Sequence, residues 1–155
     1  MTAFTASLPT GPSSLTTSTP QGASVDALTS PSRKAIWTGR VLSGLAALFL
    51  AFDAVMKLLQ VPAAMEGTAQ LGYPTSVIFG LGVLQAILLI AYLVPRTTVL
   101  GALLWVGYLG GAVATHVRVG NPLASHILFP IYVAIFLWGG LWLRQPRVRA
   151  LFRLV

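Results

Sequence analysis

Four long apolar segments constrain what this chain can fold into more than any other feature of its sequence. They cover about Ile36–Leu59, Thr75–Val94, Thr97–Val117 and Leu123–Leu143. Each reaches the ~20 residues with which a helix crosses ~30 Å of hydrocarbon at ~1.5 Å per residue. In lipid, the backbone N–H and C=O groups must form hydrogen bonds within the segment, as they do in a helix. The segments also lack the alternation of apolar and polar residues that is typical of barrel strands. We therefore predict four transmembrane helices.

The composition supports a membrane protein. Hydrophobic residues make up 55% of the chain and charged residues only 8%, whereas soluble domains carry about 25% charged residues. The formal net charge of +7 comes from basic residues at the ends of the apolar segments, where cations meet lipid headgroups. This placement favours the lipid bilayer as the partner, and we predict no nucleic-acid binding.

The residues between the segments predict the connections. Pro62, Gly72 and Pro74 predict a loop without a helix at about 60–74. The turns after the second and third segments are short, and short connections favour antiparallel neighbours. The predicted fold class is thus an all-α membrane protein, an antiparallel up-down bundle of four transmembrane helices.

Three regions follow from this assignment. Residues 1–32 are rich in Ser, Thr and Pro and predict a disordered cytoplasmic tail. Residues 33–144 form the predicted transmembrane domain, and residues 145–155 a basic cytoplasmic tail. Lys and Arg concentrate in both terminal flanks and at the Pro95–Arg96 turn. The positive-inside rule therefore predicts that both termini are cytoplasmic.

Five ionisable residues form a candidate polar cluster. Asp53 lies in the first helix, about 9 Å from its outer end, and Lys57 follows one turn later. His116 and Arg118 end the third helix, and His126 begins the fourth. The predicted topology collects all five in the outer half of the bundle.

Two interpretations of this cluster remain open. Ionisable residues within a membrane usually face the bundle interior and pair there, which predicts a polar ligand site or proton site at Asp53. Alternatively, Asp53 and Lys57 form only an i,i+4 ion pair, with Lys57 reaching the interface. His116 and His126 would then cap helix ends in the headgroup region.

Other polar and small residues lie inside the helices. Gln85 is at the middle of the second helix, where an amide seeks a partner from another helix. Tyr108 and Tyr132 are further donors to the same interior. Gly107 and Gly111 have GxxxG spacing, which predicts close helix contact. For these glycines we favour contact within the bundle over contact with a second copy. We also expect a protein partner or self-association through small-residue helix faces.

The sequence predicts no catalytic residue, no metal site and no bound cofactor. The chain has no cysteine, which excludes Cys-ligated zinc and iron–sulfur clusters. It also lacks the HExxH, GxSxG, Walker A and dinucleotide-binding signatures. Haem between His116 and His126 is disfavoured, because no second pair supports it. A non-enzyme is favoured.

Several stretches resemble a known family. They are "FDAVMKLL", "GYPTSVIFGLGVLQAILLIAYLVPR", "GGAVATHVRVGNP" and "WLR". In this order they resemble the DoxX-like family, four-helix bacterial membrane proteins related to the DoxX subunit of thiosulfate:quinone oxidoreductase. The resemblance spans about Ile36–Arg144 and implies a bacterial cytoplasmic (inner) membrane. The family commonly has Glu where this chain has Gln85. A quinone-linked role is implied only for the DoxX relatives.

The sequence is compatible with three functions. The favoured one is a small, non-catalytic accessory subunit of a membrane complex. The alternative is a quinone- or small-molecule-binding component of a membrane oxidoreductase that uses the polar cluster. A proton-coupled transporter ranks third, because transporters ordinarily have internal repeats and more polar residues at the midplane.

Overall fold

The computed structural model describes residues 32–151, and this part of the chain contains helices and no strands. The predicted tail at 1–32 lies outside the described residues except for Ser32. The helices are α1 (Arg33–Leu58), α2 (Pro62–Gln70), α3 (Ile78–Leu93), α4 (Thr98–Arg118), α5 (Phe129–Arg144) and α6 (Pro146–Leu151). A 3-10 turn, Thr75–Val77, leads into α3, and a π-helical turn, Leu123–Ile127, leads towards α5.

Four of these helical stretches are long and apolar enough to cross a membrane. They are Arg33–Leu58, Thr75–Leu93, Thr98–Arg118 and Leu123–Arg144. The prediction of an all-α fold with four such helices is confirmed, and the observed ends lie close to the predicted ones. Hydrophobic length identifies such helices directly because the bilayer fixes how long each must be.

The four long helices pack in a ring that follows the order of the chain. α1 packs on α3, α3 on α4, α4 on α5, and α5 packs back on α1. The first turns of α1 lie beside the last turns of α5. A Cβ added at Gly39 would lie 2.7 Å from the carbonyl oxygen of Gly140.

One end of the bundle is tightly closed, and we call it the closed end (around Gly39, Gly101 and Gly140). A Cβ added at Gly101 would overlap the backbone nitrogen of Tyr92, so α3 and α4 meet there without side chains between them. The Tyr92 hydroxyl lies 2.9 Å from Ser43 Oγ, which ties α3 to α1. The buried core begins at this end and includes Tyr92, Trp105, Leu137 and Leu141.

The GxxxG glycines of α4 do not make the predicted contact. A Cβ added at Gly107 or Gly111 would meet no atom within 4 Å, so the prediction of close packing within the bundle is wrong at these two positions. The close contact of α4 with α3 occurs about two to three turns earlier, at Gly101. Beyond it, several residues of α4 line a cavity.

The connection between α1 and α3 contains a helix, so the prediction of a loop without a helix is wrong. Pro62 is the first residue of α2, where its missing N–H has no intrahelical partner to lose. Gln60 (φ 50°) and Gly72 (φ 79°) adopt left-handed backbone conformations on either side of α2. These residues bound a helix rather than prevent one.

The basic segment after α5 continues as a short helix, α6. Val148 is fully buried. The guanidinium of Arg149 donates to the carbonyl oxygens of Trp142 (3.1 Å) and Leu143 (3.1 Å). At least to residue 151, the predicted tail is therefore folded back onto α5. Residues 152–155 lie outside the described residues.

Candidate functional site

A cavity of about 610 Å³ lies between α1, α3, α4 and α5. This volume is within the range of ~300–1,000 Å³ typical of small-molecule pockets. One face of α2, including Thr68, completes its wall. The cavity therefore extends from the connecting segments into the part of the bundle that the helices span.

Asp53 organises the polar floor of the cavity. Its Oδ2 accepts hydrogen bonds from Lys57 Nζ and from Gln85 Nε2, the latter at 2.6 Å. The Lys57 side chain is 14% exposed and that of Asp53 is 35% exposed. The predicted ion pair is present, and the predicted bond from Gln85 to another helix is confirmed. We call Asp53, Lys57 and Gln85 the polar floor.

Gln85 is left with an unpaired oxygen. It is 1% exposed, and its Oε1 has no hydrogen-bond partner within the described part of the chain. A carboxylate only accepts hydrogen bonds, so the amide nitrogen must face Asp53 and the oxygen must face elsewhere. A buried, unpaired acceptor costs about 1–3 kcal/mol, and such groups are rare in folded proteins.

The two tyrosines predicted to serve the interior lie in different environments. Tyr108 is half-buried and lines the cavity, so its hydroxyl is a further donor close to the polar floor. Tyr132 is 46% exposed and is not among the residues that line the cavity. The prediction for Tyr132 is wrong because α5 turns this side chain towards the outside of the bundle.

His116 and His126 line the cavity together. Their rings pack edge to face with centroids 5.7 Å apart, which leaves no gap for a porphyrin between them. His116 Nδ1 lies 2.8 Å from Asn121 Nδ2, and His126 Nδ1 lies 2.8 Å from Ser125 Oγ. Among the described residues, no group of three or more His, Cys, Asp and Glu side chains is arranged to hold a metal ion.

Arg118 lies apart from the other four members of the predicted cluster. It does not line the cavity, and its Nη2 donates to the carbonyl oxygen of Leu71 at 2.7 Å. The hydroxyl groups of Tyr73 and Thr115 lie 3.1 Å apart. These two bonds attach the segment after α2 to the end of α4, and we call them the strap.

Sequence reasoning missed the residues that complete this wall. Tyr73 and Thr115 join parts of the chain that are 42 positions apart, whereas Asn121 contacts His116 only five positions away. A polar residue near a helix end gives no signal of its partner. For Tyr73 the only hint was its place between Gly72 and Pro74, which marks a fixed turn. Gly107 and Gly111 were assigned to helix contact, yet both line the cavity.

Comparison with known proteins gives one match. The model of the DoxX-like family matches residues 41–140, a range that includes most of α1 and α5 and everything between them. No curated protein and no solved structure matches the chain.

Proposed function

Because the chain belongs to the DoxX-like family and has four membrane-type helices, we propose that its bundle binds a small apolar molecule with a polar end. The observation that carries the proposal is the polar floor at the base of a cavity of about 610 Å³. A helix bundle that serves only as a spacer has no need of such a cavity, since packed cores leave few voids larger than a water molecule.

The character of the cavity supports an uncharged ligand. Asp53 and Lys57 neutralise each other, so a charged group on the ligand would find no free counter-ion in the floor. Leu50, Leu81 and Phe129 supply apolar walls. A quinone, the cofactor alternative predicted above, belongs to this class by its apolar ring, but its oxygens only accept hydrogen bonds and leave Gln85 Oε1 without a donor.

This proposal reverses the order of the functions weighed from sequence. The accessory-subunit role rests on the small size of the chain and on missing catalytic motifs, and it stays a prediction. The transporter role also stays a prediction. The cavity and the unpaired Gln85 oxygen favour ligand binding over both, in a bundle that assembles alone or with a protein partner.

We also propose that the protein lies in the bacterial cytoplasmic (inner) membrane with both termini in the cytoplasm. Support comes from the closed end, where α1 begins and α5 ends beside each other. Lys and Arg are concentrated at those two helix ends, as the positive-inside rule requires of a cytoplasmic face. The cavity then faces the outer leaflet.

Purification from native membranes in a mild detergent tests the binding proposal. Apolar molecules extracted from the wild type, Asp53→Asn and Glu66→Gln are compared by mass spectrometry. Glu66 is exposed and lies outside the cavity. Glu66→Gln therefore removes one negative charge, as Asp53→Asn does, without changing the cavity. We expect one species in the wild type and Glu66→Gln. In Asp53→Asn it should fall about tenfold, because the neutral amide no longer holds Lys57 and Gln85 in place around the polar end of the ligand. A wild type with no species above the lipid background would overturn the proposal.

A further inference from the structure

The cavity is bounded differently on two of the four sides where neighbouring helices meet. Between α1 and α5, Phe49 and Phe129 pack edge to face with ring centroids 5.2 Å apart, and both line the cavity. This aromatic pair closes that side.

Between α3 and α4 the cavity is lined by residues that are also exposed on the outside of the bundle. Gly107 and Gly111 line it and are also exposed on the outside of the bundle. A Cβ at either position would meet no atom within 4 Å. Leu84 of α3 likewise both lines the cavity and is exposed. The wall here is thus a gap between two helices at the depth of the lipid.

An independent observation indicates what the cavity holds. Gln85, on α3, lines the cavity and carries the buried oxygen without a partner. Asp53 takes both of the floor's recorded hydrogen bonds, so neither Lys57 nor another floor residue donates to this oxygen. Only a donor, such as a hydroxyl group, can satisfy it.

We propose that the ligand enters from the bilayer through the gap at Gly107 and Gly111, and that it is an apolar alcohol or phenol whose hydroxyl donates to Gln85 Oε1. This inference rests on the proposed function and specifies its ligand class and route. The glycines matter because any larger side chain at these positions would occupy the gap. Gln85 matters because it selects a ligand that has a donor.

The ligand class is tested with two probes that differ only in the donor. Radiolabelled 4-decylphenol and its methyl ether, 4-decylanisole, are bound to the full chain in phosphatidylcholine nanodiscs, with empty nanodiscs as the partition background. We expect the wild type to bind the phenol about tenfold more tightly than the ether, the equivalent of one hydrogen bond to a buried acceptor. Gln85→Leu should remove this preference, so that the phenol and the ether bind this variant with equal affinity.

The route is tested with leucine substitutions on one helix. Gly107→Leu and Gly111→Leu place a side chain in the gap, whereas Gly110 is exposed, has no neighbour within 4 Å and does not line the cavity. We expect the association rate of 4-decylphenol to fall at least tenfold in the first two variants and to stay within twofold of wild type in Gly110→Leu. Unfolding temperatures and oligomeric state are measured for all three.

Different results would overturn the ligand class, the route or the whole inference. Equal affinity for phenol and ether in the wild type would overturn the ligand class but leave the proposed function standing. Equal association rates in Gly111→Leu and Gly110→Leu would overturn the route, as would a glycine variant that loses only self-association. If neither probe binds the wild type saturably, this inference is overturned, and the extraction from native membranes decides separately on the proposed function.

Discussion

At the scale of single residues, Asp53 illustrates what a sequence can and cannot give. The spacing to Lys57 predicted their contact, because residues four apart share a helix face. The second partner, Gln85, is 32 positions away and depends on how α1 and α3 are rotated against each other. Sequence spacing contains no information on that rotation. The same limit explains why Arg118 was grouped with residues that it does not meet.

The coupling of Asp53 and Lys57 leads to a stability prediction. Lys57→Met should destabilise the protein by about 2 kcal/mol, because it leaves the Asp53 carboxylate with Gln85 as its only hydrogen-bond partner among residues 32–151. This figure is set below that for a fully buried pair since Asp53 is 35% exposed. The double variant Lys57→Met/Asp53→Asn should recover most of the loss. Thermal unfolding in detergent measures both, and a double variant that is less stable than the single one would contradict the coupling.

At the scale of elements, the long helices were predictable and the pieces between them were not. Hydrophobic length fixed the membrane helices, whereas α2 is too short for periodicity to reveal. Its residues Pro62 and Gly72 are helix breakers in the interior of a helix but good boundary residues at its ends. Pro62 and Gly72 are therefore compatible both with a loop and with a short helix between them. The burial of Thr68 against the bundle distinguishes the two.

The strap predicts how α2 is held. Arg118→Gln should remove the bond to the Leu71 carbonyl, and Tyr73→Phe should remove the bond to Thr115. In either variant, hydrogen exchange of the α2 amides should accelerate about fivefold, as loss of ~1 kcal/mol of local stability requires. Arg96→Gln, on the turn between α3 and α4, is the matched control. Unchanged exchange in α2, or equal acceleration in α5, would show that the strap does not hold this helix.

At the scale of the whole molecule, the bundle is closed at one end and hollow towards the other. Glycines remove side chains from the crossings at Gly39, Gly101 and Gly140, so the backbones meet there. Along α4 the same residue type has the opposite effect, because Gly107 and Gly111 face a cavity instead of a helix. The sequence pattern GxxxG does not show whether a glycine lies at a close helix crossing or lines a cavity. The distance between the neighbouring helices at that depth decides this.

The proposed orientation is tested by labelling. Because the chain has no cysteine, Ser32→Cys and Gln70→Cys each provide a single thiol. Both positions are exposed. In intact spheroplasts, a membrane-impermeant maleimide should label Gln70→Cys and spare Ser32→Cys until the membrane is opened. The reverse pattern would place the termini outside and contradict the proposed topology.

Native mass spectrometry of the protein ejected from its own membrane tests the central claim, that the cavity holds a ligand, most directly. We predict that the wild-type chain, of 16.4 kDa, carries one additional small apolar molecule. This adduct should survive in Glu66→Gln and fall about tenfold in Asp53→Asn. A wild-type spectrum that contains only the bare chain, or an adduct that Asp53→Asn retains in full, would contradict the account.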